Sequence, residues 1–172
     1  VFNGISHDKN GLLDFSLHKV WFEFMNHLGA HCGPCFLQLP PHFSYDYKAL
    51  LFKFLQSWPK ELRLAIEFRH DSWWNDEIYK VLNSKNIIFS GVSFPGNLPD
   101  NFIVNHPEFF YYRLHGKPIL YKSEYSENEL KNLAKNILKS ERRGFIFFNN
   151  TWGTAAVKNA VELRKFLKNN HD

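Results

Sequence analysis

Residues 64–69 decide the fold, and they read Leu-Ala-Ile-Glu-Phe-Arg. Bulky apolar side chains alternate along this stretch with Ala65, Glu67 and Arg69. Successive side chains of a β-strand point to opposite faces of the sheet. The stretch therefore predicts a strand with one apolar face and a second face that becomes polar at the C-terminal end.

Three further apolar stretches also turn polar where they end. They are residues 36–39 with Gln38, residues 110–115 with Arg113 and His115, and residues 145–150 with Asn149 and Asn150. In a β/α barrel, the apolar side chains of such strands face the surrounding helices. The side chains of the other parity line the barrel, and their polar members gather at its C-terminal mouth.

Helical segments alternate with the strands along the whole chain. The periodicity predicts helices over 12–28, 47–57, 76–84, 126–140 and 154–167, and strands over 35–39, 63–68, 87–92, 109–114 and 145–148. Ser126 followed by Glu129 is a capping-box order that marks a helix start. This alternation indicates right-handed βαβ units and a parallel sheet. Because the chain lacks a G-x-G-x-x-G motif and a P-loop, a doubly wound nucleotide-binding sheet is disfavoured relative to a barrel.

Four motifs follow one another in a specific order. They read GPCFLQLPP at 33–41, RLAIEFRHDSW at 63–73, YYRLHG at 111–116 with YSENEL at 125–130, and FFNNTWGTAAVKNA at 147–160. From about His7 to Leu167 the chain resembles the YecE-like family, domain of unknown function 72. The resemblance implies an α/β fold of the TIM type and no established activity. Family members often carry Asp after the Asn-Asn pair, where this chain has Thr151.

The resemblance also implies how much of the barrel this chain supplies. The family opens with a Gly-Thr-Ser-Gly-Trp strand and a later Glu-Ile-Asn strand, neither of which occurs here. We therefore expect residues 1–172 to form one domain that supplies about the last five β/α units. Five strands of an eight-stranded barrel would leave two sheet edges uncovered, so the chain could also be inactive alone.

Composition limits the class of protein. The hydrophobic fraction of 44% is that of a globular domain. No apolar run approaches the roughly 20 residues of a membrane span, and no signal peptide opens the chain. We expect a cytoplasmic protein without a membrane partner. The net charge of +4 permits an anionic ligand or nucleic acid, but it is well below the charge density of a dedicated nucleic-acid arm.

The two cysteines, Cys32 and Cys35, form the order Cys-Gly-Pro-Cys. That spacing resembles a thioredoxin-type redox motif, which should follow a strand and open a helix. Here a helical segment precedes the motif and a strand follows it. This order favours a helix-to-strand turn with Cys35 as a small buried residue, and the missing second cysteine pair disfavours a zinc site.

The polar strand ends are the candidate site. A buried charge costs several kcal/mol unless it is paired, so charged residues on buried strands suggest a function. We predict Glu67 as a general acid or base and His115 as a second proton-transfer group. The predicted substrate-binding residues are Arg69, Arg113, Gln38, Asn149, Asn150, His70 and Trp73. The two arginines suit a carboxylate or phosphate. The sequence identifies no cofactor and no oligomeric state.

Each candidate also has a structural alternative. Glu67 and the arginines could form an ion-pair network, and the asparagines could hold the loop before the last helix. His70 could cap a turn, and Trp73 with Trp74 could pack a loop onto the next helix. Glu67, His70 and His115 could hold a metal, but they lack motif spacing and we predict no metal ligand.

Two functions remain open at this point. One is an enzyme, with phosphoester or other hydrolytic chemistry on an anionic or phosphate-containing substrate as the favoured class. The other is a non-catalytic nucleic-acid-binding module that uses a basic, aromatic rim. The rim residues would be Trp73, Trp74, Lys117, Tyr121, Lys122 and Tyr125.

Overall fold

The computed structural model describes Leu12, residues 15–100 and residues 105–168. The predicted helix over 12–28 lies partly outside these residues. The chain divides into two compact units, residues 1–89 and residues 90–172. Each unit contains a three-stranded sheet in which every pairing is parallel. Within the described residues, no helix has both the length and the apolar character needed to cross a membrane.

Among its described residues, the first unit has three α-helices and three strands. In chain order they are α1 (Phe15–Leu28), β1 (Cys35–Leu39), α2 (Lys48–Ser57), β2 (Leu64–Phe68), α3 (Asp76–Ser84) and β3 (Ile88–Phe89). The sheet order is β1-β2-β3, so β2 is the central strand. All five residues of β2 are buried, including Glu67. The strand predicted from the apolar alternation is thus present, and it is the central strand of the sheet.

Two helices of the first unit, α2 and α3, pack through their apolar faces. α2 buries Leu51, Phe54 and Leu55. Asn75 precedes α3 as its N-cap, and its side-chain oxygen accepts a hydrogen bond from the Ile78 backbone N–H at 3.0 Å. This cap satisfies one of the backbone donors left open at a helix start.

Over residues 90–100 and 105–168, the second unit has two α-helices and three strands. They are β4 (Gly91–Ser93), β5 (Phe109–Leu114), α4 (Glu127–Ser140), β6 (Arg143–Phe148) and α5 (Ala155–Lys168), and the sheet order is β4-β5-β6. The single strand predicted over 87–92 is wrong in detail. It is divided into β3 and β4, and Ser90 between them belongs to neither strand. Its buried hydroxyl donates to the Gly91 carbonyl at 3.2 Å.

The parity predicted for β5 is confirmed in the core of the second unit. Phe110, Tyr112 and Leu114 pack with side chains of α4 and α5. Tyr111, of the opposite parity, stacks on Phe147 with a centroid distance of 4.9 Å. One strand thus separates an apolar face toward the helices from a face that carries Arg113.

Two local features fix α4 and the last strand pair. The predicted capping box is present at the start of α4, where Ser126 Oγ accepts from the Glu129 N–H and the Glu129 carboxylate accepts from the Ser126 N–H. On β6, Gly144 pairs with Phe110 of β5. A methyl group at Gly144 would overlap the Phe110 ring, so only glycine admits the ring there.

Candidate functional site

The first unit carries a buried polar cluster at the C-terminal end of its sheet. Gln38 of β1 and Glu67 of β2 are direct neighbours in the strand register. The Glu67 side chain is 0% exposed and forms an ion pair with Arg69, whose side chain is 5% exposed. Arg69 Nη2 also donates to Gln38 Oε1 at 3.3 Å. The structure therefore brings together three of the residues that the strand parity selected.

The electrostatics of this cluster depend on pairing. Moving a carboxylate out of water costs several kcal/mol, and a guanidinium at hydrogen-bond distance offsets that cost. Arg69 supplies the compensating charge for Glu67, and Gln38 fixes the guanidinium from the neighbouring strand. The result is a carboxylate held in one orientation inside an apolar sheet. A proton-transfer group needs such fixed geometry.

His70 directly follows this cluster along the chain. Its Nδ1 accepts from the Ser72 backbone N–H at 3.2 Å, which caps the short 3-10 turn Asp71–Trp73. The same nitrogen lies 2.8 Å from Ser72 Oγ and 3.1 Å from a carboxylate oxygen of Asp71. These contacts favour the capping role that the sequence left open for His70.

Trp73 lies in the core of the first unit. The residue is 0% exposed, and its indole N–H donates to the Phe43 carbonyl at 2.6 Å. The ring stacks on Phe68 with a centroid distance of 4.8 Å. Trp74 packs edge-on against Phe89 at 4.7 Å. Burial of Trp73 favours loop packing over the substrate contact that we predicted for it.

The second unit carries its own polar pair at the C-terminal end of its sheet. Arg113 of β5 donates from Nε to Asn149 Oδ1 at 3.0 Å. The Asn149 backbone N–H donates to the Leu114 carbonyl at 2.7 Å, which continues the strand pairing past the end of β6. Both side chains belong to half-buried residues. Asn149 thereby orients a guanidinium that retains contact with solvent.

His115 is the first residue after β5 and is 0% exposed. Its backbone N–H donates to the Ser93 carbonyl at 2.9 Å, and its backbone carbonyl accepts from the Tyr121 backbone N–H at 2.6 Å. The imidazole meets the rings of Phe94 and Tyr121 edge-on, at centroid distances of 5.7 and 5.9 Å. The loop that carries Tyr121 therefore covers the imidazole.

Asn150 belongs to a buried amide network that holds this loop. Its Nδ2 donates to the Ser123 carbonyl at 3.1 Å and to Asn159 Oδ1 at 2.9 Å. Asn159 of α5 also accepts from the Tyr125 N–H at 3.0 Å and donates to the Tyr125 carbonyl at 2.9 Å. These contacts favour the loop-holding role that was left open for Asn150. Asn159 was not predicted from the sequence, because the local motif gives no sign that its side chain binds Tyr125, which lies 34 residues earlier in the chain.

Tyr125 joins this network to the strand ends. Its hydroxyl accepts from the Gly116 N–H and donates to Ser93 Oγ, both at 2.9 Å. Burial raises the pKa of Tyr125, so the phenol stays protonated and can donate at neutral pH. The prediction that Tyr125 belongs to an exposed rim is wrong, because the side chain bridges two buried strand ends.

Asp100 draws together two residues of the second unit. One carboxylate oxygen accepts from the Tyr112 hydroxyl at 2.6 Å, and the other meets Lys117 Nζ at 2.7 Å. Burial and the nearby carboxylate raise the pKa of Tyr112 well above its ordinary value. A cavity of about 220 Å³ lies beside this group, between β5 and α4. Lys117, predicted as a rim cation, is thus engaged by Asp100.

Gly116 permits the return of the loop over His115. Its φ is +88°, and a Cβ there would lie 3.1 Å from the Ser123 carbonyl oxygen and 3.3 Å from Asn150 Cβ. We expect Gly116→Ala to lower the free energy of unfolding by about 1–3 kcal/mol, measured by urea denaturation.

Gly153→Ala is the matched control for that variant. Gly153 also has a positive φ of +62°, but a Cβ there would meet no atom within 4 Å. The loss should therefore be smaller at Gly153. Equal losses would show that crowding at Gly116 adds nothing to backbone strain.

In the part of the chain that the structure describes, no three His, Cys, Asp or Glu side chains come together as a metal site requires.

Comparison with known proteins gives the family. The model of "Protein of unknown function DUF72" matches residues 1–172. The chain belongs to this family. The prediction drawn from the four motifs is thereby confirmed. No curated protein matches the chain.

Solved DUF72 structures share the fold. A DUF72 family protein from Enterococcus faecalis V583 superposes with a TM-score of 0.81 at 22% identity, over 98% of this chain and 72% of that one. A DUF72 family protein from Thermotoga maritima MSB8 gives 0.77 at 25% identity, over 96% and 71%. A second crystal structure of the Enterococcus protein gives 0.68 at 24% identity, over 78% and 61%. These similarities agree with the α/β fold and parallel sheets described above.

Proposed function

We propose that this DUF72 protein is a hydrolase that acts on an anionic or phosphate-containing substrate at the C-terminal strand ends of a TIM-type β/α barrel. The observation that carries the proposal is Glu67, a fully buried carboxylate held by Arg69 at the end of a central strand. An apolar residue would satisfy the packing there at lower electrostatic cost. Active sites of β/α barrels are built at the same end of their strands.

The barrel itself is supported by features of each unit. Both sheets are entirely parallel, and their strands alternate with helices along the chain. Parallel sheets of this type are covered by helices in barrels and in doubly wound folds. The polar residues at the strand ends favour the barrel, as does the missing phosphate-binding glycine motif. In this proposal residues 1–172 form a single domain.

The contacts support the proposed roles of Glu67 and Arg113, and strand parity supports the role of His115. Glu67 transfers the proton, while Arg69 and Gln38 hold its carboxylate in place. His115 is the second proton-transfer group. Arg113, oriented by Asn149, binds the substrate anion through the parallel N–H groups of its guanidinium. Fold alone does not determine reaction type, so hydrolysis rests on this anion-binding, acid–base set of groups.

A turnover assay tests the proposal. The full chain is incubated with p-nitrophenyl phosphate and bis(p-nitrophenyl) phosphate, and release of nitrophenolate is followed. We expect Glu67→Gln to lower kcat by about 10²-fold with little change in KM, because the amide keeps the shape but cannot transfer the proton. Exposed Glu61 provides the control variant Glu61→Gln, which should match wild type. Equal turnover in Glu67→Gln and wild type would contradict the assigned role.

A second function, nucleic-acid binding, is favoured by one observation. Lys122 Nζ lies 4.8 Å over the ring of Trp152, which is 68% exposed. The Trp152 backbone N–H donates to the carbonyl of exposed Tyr121 at 3.1 Å. Exposed rings beside a cation can stack bases while the cation meets a phosphate. The rim predicted from sequence is thus reduced to Tyr121 and Lys122, with Trp152 added. This function predicts oligonucleotide binding that does not depend on Glu67.

A further inference from the structure

Two exposed aromatic residues lie next to each other at the strand ends of the second unit. Tyr121, on the loop that covers His115, is 48% exposed, and Trp152, which follows β6, is 68% exposed. The Trp152 backbone N–H donates to the Tyr121 carbonyl at 3.1 Å, so the two residues are neighbours. The rings of Tyr121 and His115 meet edge-on at a centroid distance of 5.9 Å. The exposed pair is therefore continuous with the proposed site.

The loop presents Tyr121 in a fixed backbone conformation. The Ile119 carbonyl accepts from the backbone N–H groups of Lys122 and Ser123 at 3.1 and 3.0 Å. The φ of Tyr121 is +62°, in the left-handed region that residues other than glycine rarely adopt. Such conformations persist where the surrounding contacts enforce them, and they cluster at ligand sites. A loop that is already ordered loses little conformational entropy when it binds a ligand.

Cations accompany the exposed rings. Lys122 Nζ lies 4.8 Å from the centroid of the Trp152 ring. Among the residues that the structure describes, no carboxylate pairs with Lys122. Arg113, which has the strand parity of His115, is oriented by Asn149. An aromatic surface with cations at the same strand ends suits a ligand that carries both a ring and an anionic group.

We propose that Tyr121 and Trp152 form a subsite for an aromatic ring, so that the hydrolase prefers aryl phosphoesters to alkyl phosphoesters. The ring of the substrate stacks on the Trp152 indole and contacts Tyr121, while its phosphate meets Lys122 and Arg113. This inference rests on the proposed function, which supplies the phosphate. Two rings and one lysine accommodate a single aromatic group, whereas proteins that bind single-stranded nucleic acid stack successive bases on successive rings.

Isothermal titration calorimetry of the full chain with phenylphosphonate and methylphosphonate tests the subsite. Neither compound can be hydrolysed as an ester, and they differ only in the organic group. We expect wild type to bind phenylphosphonate about tenfold more tightly, the size expected for stacking one ring on an aromatic side chain. The double variant Tyr121→Ala/Trp152→Ala should bind both compounds equally.

Two further variants are controls for this measurement. Trp152→Phe retains a ring and should keep most of the preference for phenylphosphonate. Phe24 of α1 is also an exposed aromatic residue, so Phe24→Ala should leave both affinities unchanged. Equal affinity of wild type for the two phosphonates, or an unchanged preference in the double variant, would overturn the subsite. Binding of neither phosphonate would overturn it too, and binding of a thymidine oligonucleotide instead would assign the rings to nucleic acid.

Nitrophenolate release, measured separately on wild type, distinguishes failure of this inference from failure of the proposed function. Turnover without a preference for phenylphosphonate would leave the hydrolase intact and refute the aromatic subsite alone. A preference for phenylphosphonate without turnover would refute the hydrolase and support a site that binds aryl phosphates without cleaving them.

Discussion

Arg69→Met should lower the free energy of unfolding by about 3–5 kcal/mol, the range for removal of one partner from a buried ion pair. Methionine keeps much of the length of the arginine side chain and removes its charge. The Glu67 carboxylate, which is fully buried, then loses the guanidinium that offsets its desolvation. Gln38 loses a hydrogen-bond donor as well. Urea denaturation at neutral pH measures the loss.

Two further variants separate charge from packing. The double variant Glu67→Gln/Arg69→Met removes both charges, and we expect it to recover much of the stability that Arg69→Met loses. Arg164 of α5 is exposed, so Arg164→Met should stay within about 0.5 kcal/mol of wild type. If Arg69→Met lost no more stability than Arg164→Met, the buried ion pair would contribute nothing to the free energy of unfolding. If the double variant were as unstable as Arg69→Met, loss of packing would explain the effect.

Asn159→Ala should lower the free energy of unfolding by about 3–5 kcal/mol, because each buried polar group left without a partner costs about 1–3 kcal/mol. The Asn159 amide contacts the backbone N–H and carbonyl of Tyr125 and the side chain of Asn150. Alanine cannot replace any of these three hydrogen bonds. The loop that covers His115 is then held less tightly, and hydrogen exchange of the Tyr125 amide should become faster.

Asn132→Ala controls for helix propensity. Asn132 is an exposed residue within α4, and the same substitution there should be neutral or slightly stabilising. Denaturation of the two variants under one set of conditions gives the comparison. A result in which Asn159→Ala is as stable as Asn132→Ala would mean that the amide network does not hold the loop.

Local pattern was enough to predict the elements of the fold. Period-two alternation located β2 and β5, and Ser126 with Glu129 located the start of α4. These signals depend on neighbours within a few residues, so they can be read directly from the chain. The division of the strand over 87–92 could not be predicted, because β3 pairs with β2 and β4 pairs with β5, and strand partners are not visible in the local pattern.

Long-range contacts explain which parts of the candidate site could not be predicted. Parity placed Gln38 and Glu67 on one face, and the strand register makes them neighbours. The same reasoning could not show that Trp73 stacks on Phe68 in the core, or that Asn150 is bound by Asn159. Loop residues have no periodicity, so their partners follow only from tertiary structure.

The most direct test of the central claim is thermal unfolding of the full chain in the presence of candidate ligands. The ligands are phosphate, sugar phosphates, divalent metals and short oligonucleotides, each added to wild type, Glu67→Gln and Arg113→Ala. We predict that a small phosphate ester raises the Tm of wild type and that Arg113→Ala loses this rise. A ligand at 100 times its Kd should add about 2.7 kcal/mol of stability. Stabilisation by oligonucleotides alone, unchanged in Glu67→Gln, would favour the nucleic-acid-binding function instead. If no ligand raised the Tm and both variants were simply less stable, the polar strand ends would be a structural network and the proposed hydrolase would be wrong.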